Sequence, residues 1–135
     1  LIEAPVTSSG HAYVEFVSAR QLRHKMRRKV DESLIIPEDA LRWRLPPDPS
    51  VGRADPTLGG FTTELSLDTT SCPGLNSQQR QRIRDRARPR RTDDIIVSIA
   101  GGVITVKVDY VFFPPESMRV ARDCLAAVLH DALAP

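Results

Sequence analysis

The sequence predicts an α+β fold: a small mixed or antiparallel sheet with two helices packed on one face, plus a basic N-terminal helical extension. Three observations predict it. Residues 61–68 and 94–113 alternate apolar and polar side chains, which is the period of half-buried strands. Residues 115–133 repeat apolar positions at helical spacing. The chain has 135 residues, 41% of them hydrophobic, enough for one domain with one modest core. The expected division is an arm and basic helix over 1–35 and the main domain over 36–135.

Residues 1–10 read as an arm, with Thr7, Ser8, Ser9 and Gly10 as a polar joint. A short strand is expected over 11–17, through Ala12, Val14 and Phe16. Helix is expected from Ser18, a suitable cap, to about Ser33. Its apolar stripe is Leu22, Met26 and Val30. Pro37 closes this segment, because the residue before a proline is pushed out of the helical region.

Next comes a strand over 40–45, with Leu41, Trp43 and Leu45 at a period of two. A proline- and glycine-rich loop, Pro46 to Gly60, leads to the strand 61–68. Phe61, Thr63, Leu65 and Leu67 face one way, and Thr62, Glu64, Ser66 and Asp68 the other. Loops beyond roughly 12–15 residues are usually functional or disordered. A second helix is expected over 76–88, capped by Asn76 or Ser77, with Leu75, Ile83 and Ala87 as its apolar seam. Strands 94–100 and 103–113 form a hairpin around Gly101-Gly102, a permissive two-residue turn. Pro114 and Pro115 stop it and start the last helix, whose buried face is Ala121, Cys124, Leu125, Val128 and Ala132. Cys124 reads as a small core residue.

Charge is nearly balanced, with 19 Lys and Arg against 17 Asp and Glu, but its distribution is not. Six of the ten residues 20–29 are Lys or Arg, and seven arginines fall between Arg80 and Arg91. A helix so poor in apolar residues gains little from packing, and its arginines repel one another unless an anion screens them. Arginine suits bidentate phosphate contacts. The candidate RNA-binding residues are therefore Arg20, Arg23, Arg27, Arg28 and Lys29 in one patch. The other patch holds Arg80, Arg82, Arg84, Arg86, Arg88, Arg90 and Arg91. A plain solvated face is the competing reading of each.

No constellation carries catalysis. His11, His24 and His130 are isolated, and no serine acquires a defined partner set. Asp93-Asp94 follows Arg90 and Arg91, so local charge balance accounts for it. There is no phosphate-cradling glycine loop. Cys72 and Cys124 lack a metal-ligand spacing; two free thiols in a reducing compartment is the reading, with a disulfide as alternative. The expectation is no enzyme, cofactor, metal or small-molecule substrate. No apolar run reaches the roughly 18 residues that span a membrane, and no secretory signal is visible. The chain begins at Leu1; a removed organellar presequence is one expectation, trimming another.

The stretch 36–133 resembles the catalytic domain of class I peptide-release factors, above all their small stand-alone mitochondrial members, which act as ribosome-bound peptidyl-tRNA hydrolases. Ile36, Pro37, Leu41 and Trp43 match the family's first strand, and Glu64, Leu65 and Leu67 its second. Arg122-Asp123-Cys124-Leu125 matches the polar run on its last helix. The family's loop carries Gly-Gly-Gln, which helps water attack the ester of peptidyl-tRNA. The corresponding positions here are Gly52, Arg53 and Ala54. One glycine survives and the glutamine is gone, so the resemblance extends to the fold and argues against the chemistry.

Together these features point to a non-catalytic structural component of the large subunit of a mitochondrial ribosome. Its expected partners are ribosomal RNA and neighbouring ribosomal proteins, and its expected place is the mitochondrial matrix. A peptidyl-tRNA hydrolase or rescue factor with an altered loop is the enzyme alternative. A transient ribosome-assembly factor is the other.

Overall fold

A computed structural model describes residues 14–28, 34–45, 62–109 and 114–134, without the side chains of 25–28 and 114. The order of elements is β1 (Val14–Val17), α1 (Ala19–Arg28), β2 (Leu34–Pro37), a 3-10 turn (Glu38–Ala40), β3 (Leu41–Arg44), β4 (Thr62–Asp68), α2 (Ser77–Arg86), β5 (Arg90–Arg91), β6 (Ile95–Ala100), β7 (Val103–Asp109) and α3 (Pro114–Leu133). The fold is α+β. Five strands form one antiparallel sheet in the order β3-β4-β7-β6-β5. β1 and β2 form a separate parallel pair.

Alternation sets the core face of the sheet. The register lines up Leu41, Leu67, Ile104 and Ile99 in one row, and Trp43, Leu65, Val106 and Val97 in the next. Thr63, Val108 and Ile95 make a third. Leu65, Leu67, Ile104, Val106 and Val108 have no solvent-exposed surface. Burying side chains of this size contributes about 1.5–3 kcal/mol each. α3 packs on β4 and β7, and α2 packs on α3. Ala121, Leu125, Val128 and Ala132 are buried as the periodicity requires, and Leu129 joins them. Cys124 is half-buried against the same cluster. Leu75, Ile83 and Ala87 carry α2 into that cluster too.

Local chemistry fixes the helix starts. Asn76 Oδ1 accepts from the Gln79 backbone N–H at 2.8 Å, and Gln79 Oε1 accepts from the Asn76 N–H at 2.9 Å. Ser18 and Gln21 make the same reciprocal pair, at 3.2 Å and 3.0 Å. Each box satisfies two backbone donors that the helix leaves over. Gly101 and Gly102 have φ of +60° and +84°, which is what a two-residue hairpin turn with both central residues left-handed demands. The Thr69 backbone N–H and hydroxyl both donate to the Gly102 carbonyl, at 3.0 Å and 2.6 Å.

Three features go beyond the expected elements. β5 is a fifth strand where the alternation marks four. Residues 34–37 pair in parallel with β1, so Leu34 and Ile36 enter the main core from either side of the expected 35/36 division. α2 reaches the core beside α3 rather than as an equal layer on the sheet. The expected strand end at 110–113, the helix end at 29–33 and the whole loop 46–60 lie outside the described residues.

The turn yields a stability prediction. A Cβ on Gly101 meets open space, whereas one on Gly102 lies 2.6 Å from Thr70 Cγ2. Gly101→Ala should cost about 1 kcal/mol from the left-handed backbone alone, and Gly102→Ala distinctly more. Urea denaturation of the two variants checks the order.

Candidate nucleic-acid interface

The segment from α2 to β5 concentrates positive charge on a rigid support. Seven arginines and one aspartate lie between Ser77 and Arg91. The buried seam of Ile83 and Ala87 leaves the arginines flanking it, with Arg80 and Arg84 along one side and Arg82 and Arg86 along the other. After Ala87 the chain becomes extended and Pro89 prevents the helix from resuming.

The structure sorts the seven into two groups. Arg80, half-buried, donates from Nη2 to the Cys72 carbonyl at 3.2 Å. Arg82 donates to the Leu133 carbonyl at the C-terminus of α3 at 3.4 Å, where a cation is favoured by the helix dipole. Arg90 pairs with Asp131 on α3. These three tie the segment to the rest of the fold. Arg84, Arg86 and Arg91 are exposed and have no partner among the described residues. Among the described residues Arg88 donates to the adjacent Ala87 carbonyl, at 3.0 Å. The aspartate of the segment, Asp85, accepts from Gln81 Nε2 at 2.9 Å instead of matching an arginine.

The second patch stands on different ground. Arg20 and Arg23 are exposed on α1, which packs on β1 and β2 while α2 packs on α3. The side chains of Arg27 and Arg28, and Lys29 entirely, lie outside the described residues, as do Gly52, Arg53 and Ala54. The expected cluster of Arg20, Arg23, Arg27, Arg28 and Lys29 is therefore described only at its first two members.

Sequence reasoning named Arg122 only within the run on the last helix and missed its contacts. Its guanidinium lies 5.4 Å from the centroid of the Trp43 ring and donates to Glu38 Oε2 at 3.2 Å. It clamps α3 to the entry of β3, using the flat cation that stacks on aromatic faces. An arginine in an amphipathic helix carries no signal of such a partner. Arg44, the residue after Trp43 on β3, pairs with Glu64 across the sheet at 2.9 Å.

Cys72 is buried and donates to the Pro73 carbonyl at 3.2 Å; burial pushes its thiol up to about 11. Burial also raises Cys124. Both are free thiols, neutral at physiological pH and poor nucleophiles. The Asp68 carboxyl is held below its usual range, first by the Thr70 hydroxyl and then by the Thr70 backbone N–H. Asp93 and Asp94 sit before β6, where the Asp94 carbonyl accepts from the Asp109 N–H at 2.8 Å. Among the described residues no three His, Cys, Asp or Glu side chains gather to hold a metal ion, and no helix is long and apolar enough to cross a membrane. Comparison with protein-family models, curated proteins and solved structures finds no match.

A thiol raised on folding stabilises the native state fully below its unfolded value. That contribution fades as pH climbs through the folded one. Stability should therefore fall between about pH 9 and pH 11 in the native chain and fall less in Cys72→Ala, measured as the urea midpoint across that range.

Proposed function

We propose that this chain is a non-catalytic, RNA-binding structural subunit of a ribosome. The observation that carries the reading is the surplus of unmatched arginine on a well-held element: Arg84, Arg86, Arg88 and Arg91 are exposed and meet no carboxylate among the described residues. Arg80, Arg82 and Arg90 fix the backbone that presents them. Such a surface is complementary to phosphate, and release of condensed counterions supplies much of the free energy of binding. Structured RNA is read by its shape and backbone more than by its bases, which suits a rigid helix and strand. The resemblance to release-factor domains points to translation, to the large subunit and to a mitochondrial ribosome. The matrix is the corresponding compartment, and ribosomal RNA and adjoining ribosomal proteins are the partners.

Three measurements test this reading. Replacing Arg84, Arg86 and Arg91 by Gln should weaken association with purified ribosomal large subunits. It should also reduce the slope of log affinity against log salt by about one for each phosphate that is no longer neutralised. Unaltered association at every salt concentration would remove the RNA-binding claim. Recovery in stoichiometric amount from mature ribosomes, rather than from precursors alone, separates a subunit from an assembly factor.

The third concerns hydrolysis. The family's reaction needs backbone close to the ester and a glutamine that positions water, and positioning of this kind supplies much of the rate. Arg53 carries a Cβ where the family has glycine, and Ala54 lacks the side-chain amide of the family's glutamine. No peptide should be released from peptidyl-tRNA on stalled ribosomes, against an intact Gly-Gly-Gln relative as control. Release that vanishes on changing Arg53 would instead establish the rescue-factor alternative.

A further inference from the structure

The basic segment does not stop at the edge of the sheet. In β5, Arg90 pairs in register with Val97, a core-face residue, and reaches Asp131 on α3. Arg91, the next residue, pairs with Ile96 and belongs to the opposite face. That opposite face is the one turned away from α3. The register places Arg44, Glu64, Lys107, Ile96 and Arg91 in one row across all five strands. Beside it runs a row of Arg42, Ser66, Thr105 and Ser98.

The charges on this face are unequally matched. Glu64 is neutralised by Arg44 at 2.9 Å. Asp68 and Asp109 stand at opposite ends of the sheet and already accept the hydroxyls of Thr70 and Thr62, at 2.6 Å and 3.1 Å. Lys107 and Arg91 have no partner among the described residues. They are separated by two inter-strand steps, roughly 10 Å. Half-exposed hydroxyls of Ser66 and Thr105 and the exposed Ser98 adjoin them. Lys107 is partly buried, and a lysine can bury its stem along a surface while its ammonium stays in solvent.

We propose that this outer sheet face is a second part of the RNA-binding surface, continuous with α2 around the β5 edge, with Lys107 as its central cation. The inference rests on the RNA-binding reading above. The occupant is the RNA sugar–phosphate backbone: Lys107 and Arg91 take phosphates, and the hydroxyls of Thr105 and Ser98 meet phosphate oxygens or ribose 2′-hydroxyls. Contacts of this kind orient the nucleic acid without reading its sequence.

The test uses the full chain with a short RNA duplex and with one of its strands alone. Lys107→Gln removes a cation that belongs only to the outer face, and Arg84→Gln/Arg86→Gln removes two that belong only to α2. Each should weaken binding, with the salt slope falling by about one for the first and about two for the second. Lys107→Arg should restore the slope. Weaker binding for the α2 variant with none for Lys107→Gln overturns the outer-face proposal and leaves the RNA reading standing. Unchanged binding in both variants overturns the RNA reading itself. Should Lys107→Gln perturb folding, acetylation of Lys107 in the unaltered protein decides: protection by bound RNA supports the proposal, and equal modification with and without RNA overturns it.

Discussion

The contact on which the rest of the molecule depends is the seating of α3 against β4 and β7. Leu65, Val106, Ile104 and Leu67 present an apolar sheet surface, and Leu125, Val128 and Leu129 on α3 join them in one buried core. α2 then has something to pack on, since its own seam of Ile83 and Ala87 is too narrow to hold a helix in water. β5 is held in turn, by its ladder to β6 and by Arg90 meeting Asp131 on α3. Removing that central packing would release the arginine-bearing segment along with the core. The charged surface is thus built on an apolar foundation that lies one helix away from it.

This dependence explains why some arginines are engaged and others are not. Arg80, Arg82 and Arg90 lie where α2 and β5 border the Cys72 turn and the end of α3, so backbone carbonyls and one carboxylate fall within reach. Exposed pairs of this sort contribute at most about 1 kcal/mol each; their effect is more on geometry than on stability. Arg84, Arg86 and Arg91 point where the protein supplies no anion among its described residues. Pro89 and the two arginines also make β5 a poor template for strand addition, because charge and a missing N–H both discourage pairing at a sheet edge. One short segment therefore closes the sheet edge and displays charge.

Much of the fold was legible in the residues. A period of two along 61–68 and 94–108 decides which side chains share a face, because strand side chains alternate regardless of what the strand pairs with. Gly101-Gly102 marks the hairpin because both positions need φ above zero. Asn76 three residues before Gln79, and Ser18 three before Gln21, encode helix starts through bonds that close within one turn. These are local constraints, and each is satisfied by residues near in sequence. β5 is not legible in this way because two arginines carry no alternation. Nor is the parallel pairing of Val14–Val17 with Leu34–Pro37, because periodicity reports a face and not a partner.

The sequence by itself determined the α+β class, the apolar faces of β4, β7 and α3, and the accumulation of arginine between 80 and 91. Only the tertiary structure decided which of those arginines have partners. Arg82 meets Leu133 and Arg90 meets Asp131 across gaps of 51 and 41 residues in the chain, and no spacing rule spans such distances. The division of Arg90 and Arg91 onto opposite faces was likewise settled by the register of β5 on β6. Charge is a property of composition, but whether a charge is neutralised depends on what folding brings within about 4 Å of it.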